Sequence, residues 1–197
     1  MQINFRKGRS RNAVTDFWWA GLHWQDTPEM ETLRQHKSRI TLTHAGGSLD
    51  RMKQLMTAAS VVVRAGALGV HVGPVGIAHA PHQWLALESE SLDGILRAFV
   101  ITIDAVRSAY SCGMHNFGLK EVSVPSGVPS PSTVVGILTR YLLVKGARID
   151  SGQTVSIGGQ ANRYRFHELH MASAPDGTIF QHQVGTWQLV CAGNFVH

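Results

Sequence analysis

Hydrophobic and polar positions along the chain follow two periods, which predicts a mixture of strands and helices. Residues 39–44, RITLTH, alternate β-branched and polar side chains and stop at Gly46 and Gly47, as expected for a strand that closes in a turn. Residues 48–66 then place apolar side chains at helical spacing, with Ser48 in the position of an N-cap. The pattern predicts a strand followed by a long helix.

The remaining pattern predicts further strands and helices in alternation. Short apolar or β-rich runs predict strands at 67–72 and 98–106, and in the last third at TVSIGG, RYRFHELHMAS and GTWQLVC. Helices are predicted from Pro81, with an interruption near residues 89–93, and from Ser132 to Gly146. This order predicts an α+β fold with a mixed, largely antiparallel sheet flanked by two or three helices.

Composition indicates one globular core. The chain has 197 residues, 44% of them hydrophobic and 16% charged, which suffices for a substantial core. Residues 1–35 are predicted to form an N-terminal arm, and residues 36–197 a single α+β domain.

The net charge of +5 suits an acidic partner. Its one cluster is FRKGRSR at 5–11, which has neither aromatic interleaving nor a recognisable binding motif, so binding of nucleic acid is not expected. No window has the roughly 18 apolar residues of a membrane span. Two cysteines fit reduced thiols, and we expect a cytoplasmic protein without membrane contact.

Eleven histidines raise the possibility of a metal site. His71, His79 and His82 lie close together in sequence and could serve a small metal-dependent hydrolase, although their spacing matches no known ligand signature. In HELH, His167 and His170 would point to opposite faces of a strand. The histidines are therefore expected to be ordinary polar residues, and neither a metal nor another cofactor is predicted.

The stretch YSCGMHNFGLKEVSVP, residues 110–125, concentrates candidate chemistry. Gly113 and Gly118 predict a tight turn between two strands, with His115 projecting outward. Alternation places Glu121 on a polar or solvent-facing edge, where it could pair with an arginine. As a nucleophile Cys112, expected at the surface, is a better candidate than Cys191, which follows an apolar strand and is expected to be buried and inert.

The segment TDFWWAGLHWQDTPE contains Trp18, Trp19 and Trp24. Tryptophan is enriched at binding hot spots, so this cluster could anchor a partner. Alternatively, the indoles pack over one face of the sheet.

The order of several motifs resembles a known family. These motifs are HKSRITLTHAGG, RAGALGVHVGPVGIAHAPHQWL, AFVITIDAV, YSCGMHNFGLKEVSV and PSTVVGILTRYLLVKGARIDSGQTV. Over residues 36–157 they resemble the bacterial domain-of-unknown-function family numbered forty-two sixty-one. The resemblance implies an immunity or accessory role near bacterial toxins, and it brings no catalytic residues.

The expected function is that of a non-catalytic binding protein, an immunity-type protein that neutralises a bacterial toxin or effector. Its expected partner-binding residues are Trp18, Trp19, Trp24, His115 and Glu121, and a homodimer is possible. The alternative is the metal-dependent hydrolase that would use His71, His79 and His82.

Overall fold

The computed structural model describes residues 1–20, 24–87, 91–146, 149–157, 163–169 and 184–192. The chain divides into two compact units, Met1–Phe99 and Val100–His197. Each unit has its own helices and its own sheet structure.

Unit 1 contains four strands and five helices in its described part. In chain order these are β1 (Gln2–Lys7), α1 (Arg11–Trp19), α2 (Pro28–Arg34), β2 (Ser38–Thr43), α3 (Leu49–Arg64), β3 (Val70–Val72), β4 (Ile77–His79), α4 (Pro81–Ala86) and α5 (Leu92–Phe99). Strands β1 and β2 form an antiparallel two-stranded ribbon, and β3 and β4 form a second antiparallel pair.

Side-chain caps explain where three of these helices begin. The hydroxyl of Ser10 accepts a hydrogen bond from the amide of Ala13, and the hydroxyl of Thr27 accepts one from the amide of Met30. Ser48 caps α3 as the sequence predicts, with its hydroxyl 3.4 Å from the amide nitrogen of Arg51. Each cap satisfies an N–H group that has no partner within the helix.

The N-terminal residues belong to the core of unit 1. Phe17, Trp24, Met30 and Leu33 are buried together with Ala78 and Ala80, which lie at and just after β4. In addition, β1 pairs with β2 across the boundary predicted at residue 36. The division at Phe99 therefore differs from the predicted arm at 1–35, because these residues bury apolar surface against later ones.

The described part of unit 2 is a six-stranded sheet with one long helix. Its described elements are β5 (Ile101–Asp104), β6 (Ser108–Cys112), a short 3₁₀-helix (Met114–Phe117), β7 (Glu121–Pro125), α6 (Pro131–Lys145), β8 (Thr154–Ser156), β9 (Arg163–Leu169) and β10 (Thr186–Cys191). The strand order is β5-β6-β7-β10-β9-β8. Among these described strands only β7 and β10 run parallel to each other, and α6 packs on β5, β6 and β7.

The predicted α+β class with a mixed, largely antiparallel sheet is confirmed. Helix α6 ends at Gly146 as predicted, in a left-handed conformation with φ of 53°. Among the residues that the structure describes, no helix is both long enough and apolar enough to cross a membrane.

Candidate functional site

The turn between β6 and β7 brings several polar groups of unit 2 together. Gly113 has φ of 126° and Gly118 has φ of 73°, so both adopt backbone conformations that side chains disfavour. Between them, Met114 and Phe117 point into the core from the 3₁₀-helix. The predicted turn is confirmed, and it brings His115 back toward the start of β7.

Glu121 is the centre of this cluster. Its carboxylate oxygen Oε1 accepts hydrogen bonds from the amide of Gly113 at 2.9 Å, the amide of His115 at 3.2 Å and Nδ1 of His115 at 2.8 Å. The second oxygen, Oε2, accepts the hydroxyl of Ser111 at 2.6 Å. One buried carboxylate thus holds the start of the 3₁₀-helix to the sheet.

Ser111 connects the carboxylate to the strand beside it. Its hydroxyl donates to Glu121 and accepts the amide of Val122 at 2.9 Å. The main-chain amide of Glu121 donates to the carbonyl of Gly185, next to β10. Side-chain and main-chain bonds therefore fix Glu121 from both neighbouring strands.

These bonds determine the charge of Glu121. Burial by itself raises the pKa of the carboxyl, but the hydrogen bonds from His115, Ser111 and Gly113 outweigh it and lower the pKa below its ordinary value. The carboxylate is ionised at neutral pH and can only accept, so Nδ1 of His115 carries a proton. The result is a buried, oriented carboxylate–imidazole pair.

This geometry corrects two expectations. Glu121 is 4% exposed and pairs with His115, not with an arginine at a solvent-facing edge. The side chain of His115 is 14% exposed and turns back onto Glu121 instead of projecting outward. Alternation identified the face of the strand, but the turn folds back over that face.

The two cysteines have exchanged the places expected for them. Cys112 is fully buried and Cys191 is exposed. Burial, reinforced by the negative charge of Glu121, raises the pKa of the Cys112 thiol to about 12. The thiol is therefore protonated at neutral pH, which removes the thiolate that nucleophilic catalysis needs.

The three histidines of the hydrolase alternative do not converge. His71 pairs in register with Ala78, and His79 pairs with Val70, so their side chains leave opposite faces of the β3–β4 pair. The Nε2 N–H of His79 donates to the carbonyl of Ala98 at 3.2 Å, and His82 is exposed on α4. Within the described ranges, no three His, Cys, Asp or Glu side chains are grouped so that they could hold a metal. His167 lies on β9, and His170 lies outside those ranges.

The three tryptophans have three different environments. Trp24 is 1% exposed, and its indole N–H donates to the carbonyl of Ala78 at 3.2 Å. Trp18 is half-buried, with the guanidinium of Arg34 at 5.8 Å from its ring centre. Trp19 is 77% exposed. The structure therefore places Trp24 in the core rather than at a partner surface, and of the three only Trp19 presents most of its ring to solvent.

The sequence reasoning missed the ribbon of β1 and β2. The register pairs Ile3 with Leu42 and Phe5 with Ile40, so these four side chains share one apolar face. Ile3 and Phe5 are 66% and 62% exposed. Alternation in QINFRK was the available signal for β1.

Comparison of the chain with models of protein families, with curated proteins and with solved structures gave no match.

Proposed function

We propose that this chain is a non-catalytic binding protein, an immunity-type protein that binds and neutralises a bacterial toxin or effector. The observation that carries the proposal is the apolar face of the β1–β2 ribbon, formed by Ile3, Phe5, Ile40 and Leu42, of which the first three are exposed. The resemblance to the forty-two sixty-one family supports the toxin as the class of partner.

An exposed aromatic and aliphatic face is a physical reason for binding. Apolar surface left in water forgoes about 25 cal/mol for each Å² that a partner could cover. Phe5 lies beside Ile40 on the neighbouring strand, so a partner surface can cover both at once. Large side chains at the centre of an interface supply much of its binding energy. Phe5 is therefore the expected anchor, and Trp19 is a second candidate in the same unit.

The Glu121 cluster has a structural role in this proposal. All four hydrogen bonds described for its carboxylate come from Ser111 and from the turn that begins at Gly113. We propose that Glu121 and His115 fix the shape of the β6–β7 turn and do not contact the partner. This replaces the expectation that both residues bind the partner directly.

The test uses isothermal titration calorimetry. The purified protein is titrated with the toxin that is encoded by the gene next to its own. Phe5→Ser should weaken binding at least tenfold, because it removes an aromatic anchor from the interface. Val106→Ser is the matched control, since Val106 is 97% exposed in unit 2, and it should bind like the wild type.

Two results would overturn the proposal. One is a wild-type affinity that both substitutions leave unchanged. The other is that the toxin encoded next to this gene neither binds this protein nor loses activity when the protein is added in excess.

A further inference from the structure

The second face of the β1–β2 ribbon is polar and basic. Six side chains alternate with the apolar face and line a shallow groove; they belong to Gln2, Asn4, Arg6, Arg39, Thr41 and Thr43. All six residues are exposed. The register places Arg6 opposite Arg39 and Asn4 opposite Thr41, so the two strands present matched rows of hydrogen-bonding groups.

The positive charge of the chain is concentrated at this ribbon. Residues 1–11 and 37–43 contain six Lys or Arg residues and no Asp or Glu, whereas the rest of the chain has twelve basic and thirteen acidic residues. One carboxylate, that of Asp16, lies 3.9 Å from the guanidinium of Arg39, and both side chains are about two-fifths exposed. A local excess of charge of this kind attracts a polyanion.

The dimensions of the ribbon fit one polyanion in particular. Side chains on one face of a strand repeat about every 6.8 Å, which is two base-pair steps of about 3.4 Å. Two paired strands lie about 4.8 Å apart, and the major groove of B-form DNA, about 12 Å wide, admits a two-stranded ribbon. The major groove of an RNA duplex is too narrow and deep for such an insertion.

We propose that the polar face of the β1–β2 ribbon binds double-stranded DNA in the major groove. Arginine recognises guanine, asparagine and glutamine recognise adenine, and threonine contacts the methyl group of thymine. Arg6, Arg39, Asn4, Gln2 and Thr41 supply each of these groups from one surface. This surface is opposite the apolar face of the ribbon. Binding of DNA would therefore be a function separate from the proposed binding of a toxin.

The ribbon in the structure changes the interpretation of FRKGRSR. As a linear basic segment it carries no nucleic-acid signature. Paired with β2, it contributes Arg6 to the same face as Arg39, 33 positions later in the chain. That pairing creates a two-stranded surface that a basic arm alone does not have.

The test uses fluorescence anisotropy of the full chain with a labelled 20-base-pair DNA duplex at 50–200 mM NaCl. With four phosphate contacts, the affinity should fall about 100-fold between 50 and 200 mM NaCl, because each contact contributes a slope of about −0.9. Arg6→Gln combined with Arg39→Gln should weaken binding about 100-fold at low salt, roughly tenfold for each arginine.

The matched control is Arg64→Gln combined with Arg107→Gln, which removes the same charge from two exposed positions outside the ribbon. It should change the affinity less than threefold. A second ribbon variant, Asn4→Ala with Thr41→Ala, keeps the charge; it should weaken binding about fivefold to tenfold with an unchanged salt slope. Circular dichroism checks that each variant is folded.

Several results would overturn the proposal. One is the absence of DNA binding at 50 mM NaCl. Another is an equal loss of DNA affinity in the ribbon and control variants. A third is an affinity for a polyglutamate peptide of matched charge that equals the affinity for DNA. Tighter binding to an RNA duplex of the same sequence would also overturn it. In that case the basic face would read a shape other than the B-form groove.

Discussion

Replacement of Glu121 by alanine should cost the protein about 3–5 kcal/mol of folding free energy, the range for a broken buried pair. The substitution removes the acceptor of four hydrogen bonds, from Ser111, Gly113 and two groups of His115. A buried donor left without an acceptor costs about 1–3 kcal/mol. The four costs do not add fully, because the Ser111 hydroxyl can rotate and the His115 ring is 14% exposed.

Glutamine at position 121 should cost less, about 1–2 kcal/mol, because its carbonyl oxygen can still accept from the turn. Its amide group would then face the hydroxyl of Ser111, which can reverse its role and accept. The remaining loss is the charge that strengthens the bonds from His115. If the alanine and glutamine variants have similar free energies of unfolding, the stabilisation comes from the charge of Glu121 rather than from hydrogen bonding.

The assay is urea denaturation followed by circular dichroism at pH 7. At an m-value of about 2 kcal/mol/M, a loss of 4 kcal/mol moves the midpoint by about 2 M. Hydrogen exchange of the amides of Gly113 and His115 localises the effect, since both amides lose their acceptor. The matched control is Glu168→Ala in the same unit, which removes a carboxylate about a third exposed and bonded to Lys120, and it should cost less than about 1 kcal/mol.

The role assigned to Glu121 is wrong if the free energy of unfolding of Glu121→Ala lies within about 1 kcal/mol of the wild-type value, which is below the range for a broken buried pair. It is also wrong if hydrogen exchange of the amides of Gly113 and His115 is unchanged in this variant. Either result would mean that the packing of Met114 and Phe117 holds the turn without the carboxylate.

Further predictions concern pH, thiol chemistry and the tryptophans. Because the pKa of Glu121 is lower in the folded state, its contribution to stability is present above the ordinary value of 4.5 and is lost as the pH falls below it; urea midpoints of Glu121→Gln should depend less on pH in this acidic range. The pKa of Cys112 is raised, so its contribution is present below pH 9.0 and is lost as the pH rises toward 12, and Cys112→Ala should flatten this alkaline loss. At pH 8 a disulfide reagent should modify Cys191 rapidly and Cys112 only in urea, which a count of released thiolate checks. Trp24→Ala should cost about 3–5 kcal/mol in urea denaturation and Trp19→Ala less than about 0.5, because only the first indole is buried.

Local sequence signals predicted helices, strands and turns well where the structure depends on residues that are close together in sequence. Ser48 and the periodic apolar positions after it predicted α3, because a cap and an amphipathic face are properties of neighbouring residues. The interruption predicted after Pro81 corresponds to the separate helices α4 and α5. Gly113 and Gly118 predicted the β6–β7 turn for the same local reason.

The candidate site was predicted only in its location. The sequence placed His115 and Glu121 in one short block, but its alternation could not show that Glu121 is buried. The turn at Gly113 folds over the carboxylate, and the parallel pairing with β10, which joins parts of the chain far apart in sequence, makes β7 an interior strand. The sequence also gave the wrong prediction of which cysteine is buried, Cys112 or Cys191, because burial depends on packing between distant segments.

The amino-acid sequence alone determined the α+β class, most helix and strand positions and the glycine-bounded turn, since each depends on residues a few positions apart. Only the tertiary structure decided that Trp24 is a core residue bonded to Ala78, 54 positions away, while Trp19 remains exposed. It also decided that β1 pairs with β2 and gives the ribbon one apolar and one basic face. Such pairings depend on which distant segments bury each other's surface, and the local pattern of a single segment does not contain that information.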